Sequence, residues 1–264
     1  MKLLCLGTGA ADWPIDRYDE FPFFRRFTST LINDDLLIDP GPHVYHYIEK
    51  NNCPTLLAGI KNILVTHSHG DHFTPATVRK IADANDGVAL WGSFACRDKL
   101  IAALGDLGNI EFHELKKGDR LSVGGYDVLA VPSNHSTDIA DEITFHYAIT
   151  DGEGKQLFYA LDGGWLTREE WNMIRAAKYS FHAIVMDCTM GDTVMEIRIF
   201  EHNTIPMIEI MADTIRAMKV LRPEVGQIYA NHMARTLHKD HKSLTARLAP
   251  LDIIPCRDGM EITV

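Results

Sequence analysis

Asn62-Ile63-Leu64-Val65-Thr66-His67-Ser68-His69-Gly70-Asp71-His72 is the stretch on which the reading of this chain turns. Its opening residues form a short apolar, β-branched run with the character of a buried strand. Its later part places His67, His69, Asp71 and His72 on a tight turn. Thr74-Pro75 then opens a helical pattern through Asn85, with threonine as cap and proline in the first turn. Four potential ligands therefore sit between a strand and a helix, where a rigid scaffold aims them together. Imidazole and carboxylate donors suit Zn, Mn or Fe. Packing gives no reason to crowd three histidines and an aspartate onto one surface loop.

Two further histidines and an aspartate stand just past strand-like runs. His135 follows Asp127-Val128-Leu129-Ala130-Val131-Pro132-Ser133-Asn134, and on its own it reads equally as a turn residue. Asp162 follows Gln156-Leu157-Phe158-Tyr159-Ala160-Leu161 and precedes Gly163-Gly164, where the backbone can approach a ligand closely. Its alternative reading is a cap for the helix that begins near Thr167. His232 ends the run Gln227-Ile228-Tyr229-Ala230-Asn231, whereas His238 and His241 fall in the polar stretch beyond it.

The pattern His-x-His-x-Asp-His is the signature of the metallo-β-lactamase superfamily, which this chain resembles along nearly its whole length. The resemblance implies an α/β fold, a four-layer αββα sandwich, carrying a dinuclear metal site. It implies that His67, His69 and His135 hold one divalent ion and that Asp71, His72 and His232 hold the other, with Asp162 bridging. Zinc is the first expectation for the pair, and Mn or Fe is compatible with the same donors. Two ions about 3.5–4 Å apart hold a bridging hydroxide and clamp the oxygens of a displacement. The expected activity is hydrolysis, with Asp71 counted in the catalytic set as well as among the ligands.

Two features narrow the subclass. Met1-Lys2-Leu3-Leu4-Cys5-Leu6-Gly7-Thr8-Gly9-Ala10 is a strand running into a Gly-Thr-Gly turn. It resembles the start of the phosphodiesterase branch, with tRNase Z and the cyclic phosphodiesterase of the carbon–phosphorus lyase pathway. Thr28-Ser29-Thr30-Leu31-Ile32 and Leu36-Leu37-Ile38-Asp39-Pro40-Gly41 look like that branch's next hairpin and Asp-x-Gly turn. The second feature is His202, in the interval where that branch places a phosphate-contacting or leaving-group-protonating histidine. As a lone histidine it also reads as an exposed loop residue. Asp187 ends the run Ala183-Ile184-Val185-Met186 and is similar to a carboxylate that orients a ligand histidine, or else it is a strand-end turn former.

Departures from the branch count too. No basic insertion stands where tRNase Z carries its tRNA-gripping arm. The net charge of −10, from 36 acids against 26 bases, repels a polyanion. Nucleic acid is therefore not an expected partner, and a small-molecule phosphodiester is. The loop from Ala11 to Phe27 lacks the cysteine cluster that holds a further zinc in the carbon–phosphorus lyase relatives. It carries Trp13, Tyr18, Phe21, Phe23, Phe24, Arg25, Arg26 and Phe27 instead. This loop reads as a substrate-facing flap with an arginine for an anionic group, or as an apolar loop packed on the core or on a partner subunit. It is the natural site for a homodimer.

Composition sets the bounds. At 264 residues, 46% hydrophobic and 23% charged, residues 1–264 are expected to form a single hydrolase domain. No apolar run is long enough to cross a membrane, and the short apolar start with Asp12 and Asp16 close behind is not a secretory signal. Five dispersed cysteines without Cys-x-x-Cys suit a cytoplasmic protein.

Strands are expected near 2–6, 28–38, 61–65, 88–91, 110–115, 121–131, 143–150, 156–161, 182–187, 225–230 and 252–264. Helices are expected near 42–50, 74–85, 93–104, 167–178, 206–221 and 239–248. Hairpin signals lie at Val123-Gly124-Gly125-Tyr126 and Thr150-Asp151-Gly152. The two halves of the sandwich are expected to divide near residue 140. The leading functional expectation is a phosphodiesterase. The alternatives are a carbon-centred hydrolase of lactonase, thioesterase or β-lactamase type, and a non-catalytic metal-binding protein.

Overall fold

The protein is described here from a computed structural model, which covers residues 1–17, 20–21 and 23–264. Tyr18 of the aromatic loop lies outside the described residues. The chain begins with β1 (Lys2–Gly7), β2 (Ser29–Ile32), β3 (Leu36–Ile38), α1 (His43–Lys50) and the short α2 (Thr55–Gly59). Next come β4 (Asn62–Leu64), α3 (Pro75–Asp83), β5 (Val88–Gly92), α4 (Phe94–Leu104) and β6 (Ile110–Glu114). A meander of β7 (Arg120–Val123), β8 (Tyr126–Pro132), β9 (Phe145–Thr150) and β10 (Gln156–Ala160) leads to α5 (Arg168–Ala176) and β11 (Ala183–Asp187). The last elements are α6 (Ile205–Ala217), β12 (Gln227–Asn231), α7 (His241–Leu248), β13 (Ile253–Pro255) and β14 (Glu261–Thr263).

Two seven-stranded mixed sheets result, in the orders β14-β1-β2-β3-β4-β5-β6 and β13-β12-β11-β10-β9-β8-β7. The central strands β2 to β4 and β9 to β12 are almost wholly buried, which is why they read as largely unbroken apolar runs rather than alternating ones. Period-two geometry sorts the side chains. Leu157, Tyr159 and Leu161 enter the core between the sheets, while Phe158 and Ala160 face α5 and α6. Leu3 and Cys5 likewise point inward, while Leu6 packs with Val44, Tyr47 and Val78 under α1 and α3. This is the four-layer αββα sandwich.

Three expectations need correction. The sheets divide between β6 and β7, not near residue 140, because β7 to β10 pair as one meander in the second sheet. The stretch 252–264 is two strands rather than one. β13 runs parallel to β12, and β14 then crosses to pair antiparallel with β1. Helix α2 was not anticipated, since it is a single short turn after Pro54. Both hairpin signals hold. Gly124 and Gly125 take φ of 55° and 91° between paired Val123 and Tyr126, and Thr150 pairs with Gln156 across the second turn.

Most of the aromatic loop packs down. Trp13 is buried and its Nε1 donates to the Met233 carbonyl at 2.9 Å, and Phe27 stacks near His43 with centroids 4.2 Å apart. The Arg26 backbone and guanidinium and the Thr8 hydroxyl all donate to the Asp258 carboxylate, at 2.8, 3.1 and 2.7 Å. Phe23 alone of the described aromatics in this loop is largely exposed, at 62%.

Gly41 has a packing reason to be glycine. A Cβ there would stand 2.1 Å from the Asp71 carbonyl oxygen. Gly41→Ala should cost about 1–3 kcal/mol in urea unfolding, typical of overpacking. It should also displace the turn that carries Asp71. Wild-type stability in that variant would show that the two loops are not in the contact described.

Candidate metal centre

The ends of several strands converge on one point. His67, His69, Asp71 and His72 come from the loop after β4, His135 from the loop after β8, Asp162 from the loop after β10 and His232 from the residue after β12. Asp39, Asp162 and His232 all adopt left-handed backbone conformations, with φ of 60°, 54° and 60°. Such conformations are costly for non-glycine residues and persist where surrounding structure fixes them. Here they turn the side chains out of the strand direction and into the cluster.

The expected residues are brought together in the expected groups. His69 Nδ1 lies 2.9 Å from His67 Nε2 and 3.2 Å from His135 Nε2. His72 Nε2 lies 3.1 Å from His232 Nε2 and 3.3 Å from Asp71 Oδ2. Asp162 stands between the two sets, with Oδ2 2.6 Å from His72 Nε2 and 3.5 Å from His67 Nε2, and Oδ1 3.0 Å from His232 Nδ1. His238 and His241 stay outside the cluster, bonded to the Cys188 carbonyl and to Arg25.

Three imidazole N···N approaches of 2.9–3.2 Å among buried and half-buried side chains are what lone pairs aimed at common cations produce. In each of His67–His69–His135 and Asp71–His72–His232, one ligand atom per residue lies within 4.8 Å of the others. The donor set therefore fits divalent metal, as the fold implies. Asp162, Asp187, His202 and His232 also converge within that distance. Asp187 already accepts from Thr189 N, Thr189 Oγ1 and Asn203 N at 3.1, 2.7 and 2.8 Å. Its oxygens are thus committed to support rather than open to a metal.

Electrostatics divide the site. Burial holds His67 well below its ordinary range and lowers His135, which leaves both neutral with lone pairs to give. Burial also acts on His72 and His232, but Asp162 and the neighbouring carboxylates outweigh it. His72 is held well above the usual imidazole range and His232 is raised to about 10. Burial tends to raise Asp71 and Asp162, yet the surrounding histidines keep both well below the ordinary carboxylate value. This half of the site attracts positive charge, and a cation bound there displaces protons.

Several supporting residues carried no sequence signal of this role. Asp39, read only as a turn residue, accepts from His72 Nδ1 at 2.8 Å and from the Thr66 backbone and hydroxyl at 2.8 and 2.9 Å. The Thr66 hydroxyl is also 3.0 Å from His67 Nδ1. One buried carboxylate thus fixes ring orientation in both histidine groups. Glu142 clasps the ligand loop by accepting from Ser68 N, Ser68 Oγ and Ser93 Oγ at 2.9, 2.6 and 2.6 Å. The Asp162 turn is held by Ser133 Oγ, which donates to the Asp162 carbonyl at 3.1 Å, and by Gly164 N, which donates to Asn134 Oδ1 at 2.9 Å.

A cleft of about 390 Å³ opens over the cluster. His202 lines it, with Nδ1 3.2 Å from Asp187 Oδ2 and 3.4 Å from Asp162 Oδ1. Burial would lower this histidine, but Asp187 and then Asp162 raise it. Its ring stacks 5.8 Å from that of His232. Asp187 Oδ2 is also 3.3 Å from His232 Nδ1, so Asp187 supports His232 and the cleft histidine together. Arg198 is the one Lys or Arg among the described residues that line the cleft.

A metal-binding cluster at the strand ends of an αββα sandwich defines the metallo-β-lactamase fold, the fold of a hydrolase superfamily. Residues 35–233 match the β-lactamase superfamily domain, and the chain belongs to that family. Sequence comparison with curated proteins finds no match.

Among solved structures, a new diphosphatase from the PhnP family is similar at 17% identity and a TM-score of 0.73, over 100% of this chain and 97% of the other. Zn²⁺-bound PqqB from Methylobacterium extorquens is similar at 15% identity and 0.72, over 100% of both chains. Human tRNase Z, short form, is similar at 16% identity and 0.69, over 100% and 99%. At such identities the likeness speaks for the fold.

Asp39→Asn tests the support described above. Metal affinity in a competitive chelator titration should fall about 10- to 100-fold, as for other partners of ligand histidines. An unmoved affinity would remove Asp39 from that role.

Proposed function

We propose that residues 1–264 act as a single-domain, dinuclear metal-dependent phosphodiesterase on a small or cyclic phosphodiester. His67, His69 and His135 would hold one ion, Asp71, His72 and His232 the other, and Asp162 would serve both. Zinc suits this set best, and Mn or Fe is accommodated by the same donors. The observation that carries the reading is the meeting of two donor triads at Asp162 on the floor of a cleft, with His202 in the wall above.

When bound, the ions supply an activated water and neutralise the developing charge on the phosphoryl oxygens. The chain's own residues supply the rest. Asp187 engages Nδ1 of His202, so Nε2 is the nitrogen left to hold a proton for the leaving oxygen, as a general acid does. Arg198 offers a cation in the cleft wall for a non-bridging oxygen or a second anionic group. Asp71 orients its neighbours through His72 and His232. The cleft volume suits a small substrate, and the net charge of −10 disfavours a polyanion. No helix among the described residues is long and apolar enough to cross a membrane, and the free cysteines suit a cytoplasmic setting.

Two measurements test this. Metal-reconstituted protein should hydrolyse bis(4-nitrophenyl) phosphate, and Asp162→Ala should abolish that turnover. Absence of turnover with Zn, Mn and Fe, alongside cleavage of a lactone or thioester, would move the reaction to carbon. His202→Ala should lower kcat by about 10²- to 10⁴-fold, the usual worth of a general acid, with metal content unchanged. Wild-type turnover in that variant would exclude the assigned role.

A further inference from the structure

A second cavity, of about 330 Å³, stands beside the metal cleft. The cleft is lined by Asp12 and Ala234, and the second cavity by the next residue of each segment, Trp13 and Arg235. The two spaces therefore share a wall. That wall is braced, because the Asp12 carboxylate accepts from Arg235 N, Thr236 N and Thr236 Oγ1 at 2.7, 2.9 and 2.8 Å. Trp13 Nε1 is tied to Met233 as described above.

The lining has a distinct chemistry. Trp13, Phe21 and Phe23 give it aromatic surface, and the Arg235 guanidinium lies over the Phe21 ring at 5.3 Å. Other polar lining groups are already engaged. Arg25 bonds to Thr8, the Cys256 carbonyl and His241. Asp240 caps α7 through Ser243 N and Oγ at 2.9 and 2.8 Å. Arg235 Nε donates to the Asp12 carbonyl at 3.1 Å, but among the described residues neither Arg235 nor Lys239 forms an ion pair, although the chain carries ten more acids than bases (36 against 26). Bare phosphate has no use for three aromatic rings, and a purely apolar group has none for two cations.

We propose that this cavity binds the nucleoside monophosphate portion of a substrate, a flat aromatic base joined through its sugar to a phosphate other than the one that reacts. The ring packs against the aromatic surface, and Arg235 and Lys239 meet the anionic charge. As the seat of the substrate's non-reacting half, the cavity rests on the phosphodiesterase reading of the neighbouring cleft. As a binding site, it does not.

The test uses full-length, zinc-loaded protein in titration calorimetry, with adenosine 5′-monophosphate, adenosine and ribose 5-phosphate as probes. Adenosine 5′-monophosphate should bind at least tenfold tighter than either fragment. Phe21→Ala and Arg235→Ala should each weaken it at least fivefold. Lys239→Ala, on an exposed side chain that does not endanger folding, should weaken it too.

The same variants should lower kcat/KM for thymidine 5′-phosphate 3′-(4-nitrophenyl phosphate), which carries a second, non-reacting phosphate, relative to that for bis(4-nitrophenyl) phosphate. Binding no tighter than ribose 5-phosphate, or an affinity unmoved by all three substitutions, would overturn the site. Nucleotide binding lost in the variants, in a protein that cleaves no diester, would keep the cavity and remove the phosphodiesterase. Diester turnover with unmoved nucleotide affinity would do the reverse.

Discussion

A buried carboxylate between two sets of imidazoles is the interaction around which this protein is arranged. Asp162 is almost wholly removed from solvent and stands within 3.5 Å of His67, His72 and His232. A charge so placed is tolerated only when it is compensated. The neighbouring His72 and His232 provide that compensation, at 2.6 and 3.0 Å. Much of the surrounding structure exists to hold that carboxylate still: Ser133 and Asn134 at its turn, Asp39 behind the ligand rings, Asp187 behind His232. Each of these groups comes from a different strand end, so the orientation of the site depends on the relative placement of both sheets.

The sequence spoke clearly where one local pattern had one physical cause. The crowding of His67, His69, Asp71 and His72 on a turn after an apolar run has no packing rationale, and the structure brings them together. His135, Asp162 and His232 were legible only because each follows a strand long enough to recognise. Asp39 and Glu142 were not legible as supports. Their role depends on strands and loops far apart in sequence, 33 residues between Asp39 and His72 and 74 between Ser68 and Glu142. A single sequence does not report such pairings.

Fold errors have the same origin. The stretch 252–264 holds two short apolar runs split by Arg257-Asp258-Gly259, and nothing local says that β13 and β14 belong to different sheets. The split between the sheets follows from the pairing of β7 with β8, which a hairpin signal at Gly124-Gly125 marked, but the neighbour of β6 had to be seen to be absent. The aromatic loop resisted a single reading because it does two things. Trp13 and Phe27 pack inward as core, whereas Phe23 faces outward beside Arg235 and Lys239.

The crossing of β14 to the first sheet has a consequence for the order in which the molecule comes together. β1 is made long before residues 261–263, and one of its edges stays unpaired until they follow. His232 arrives late as well. During synthesis the first sheet is thus a near-complete layer with an open apolar edge, a state prone to pairing with other chains. Closure of that edge and the arrival of His232 in the cluster both wait for residues beyond 230. Contacts of such long sequence separation slow folding.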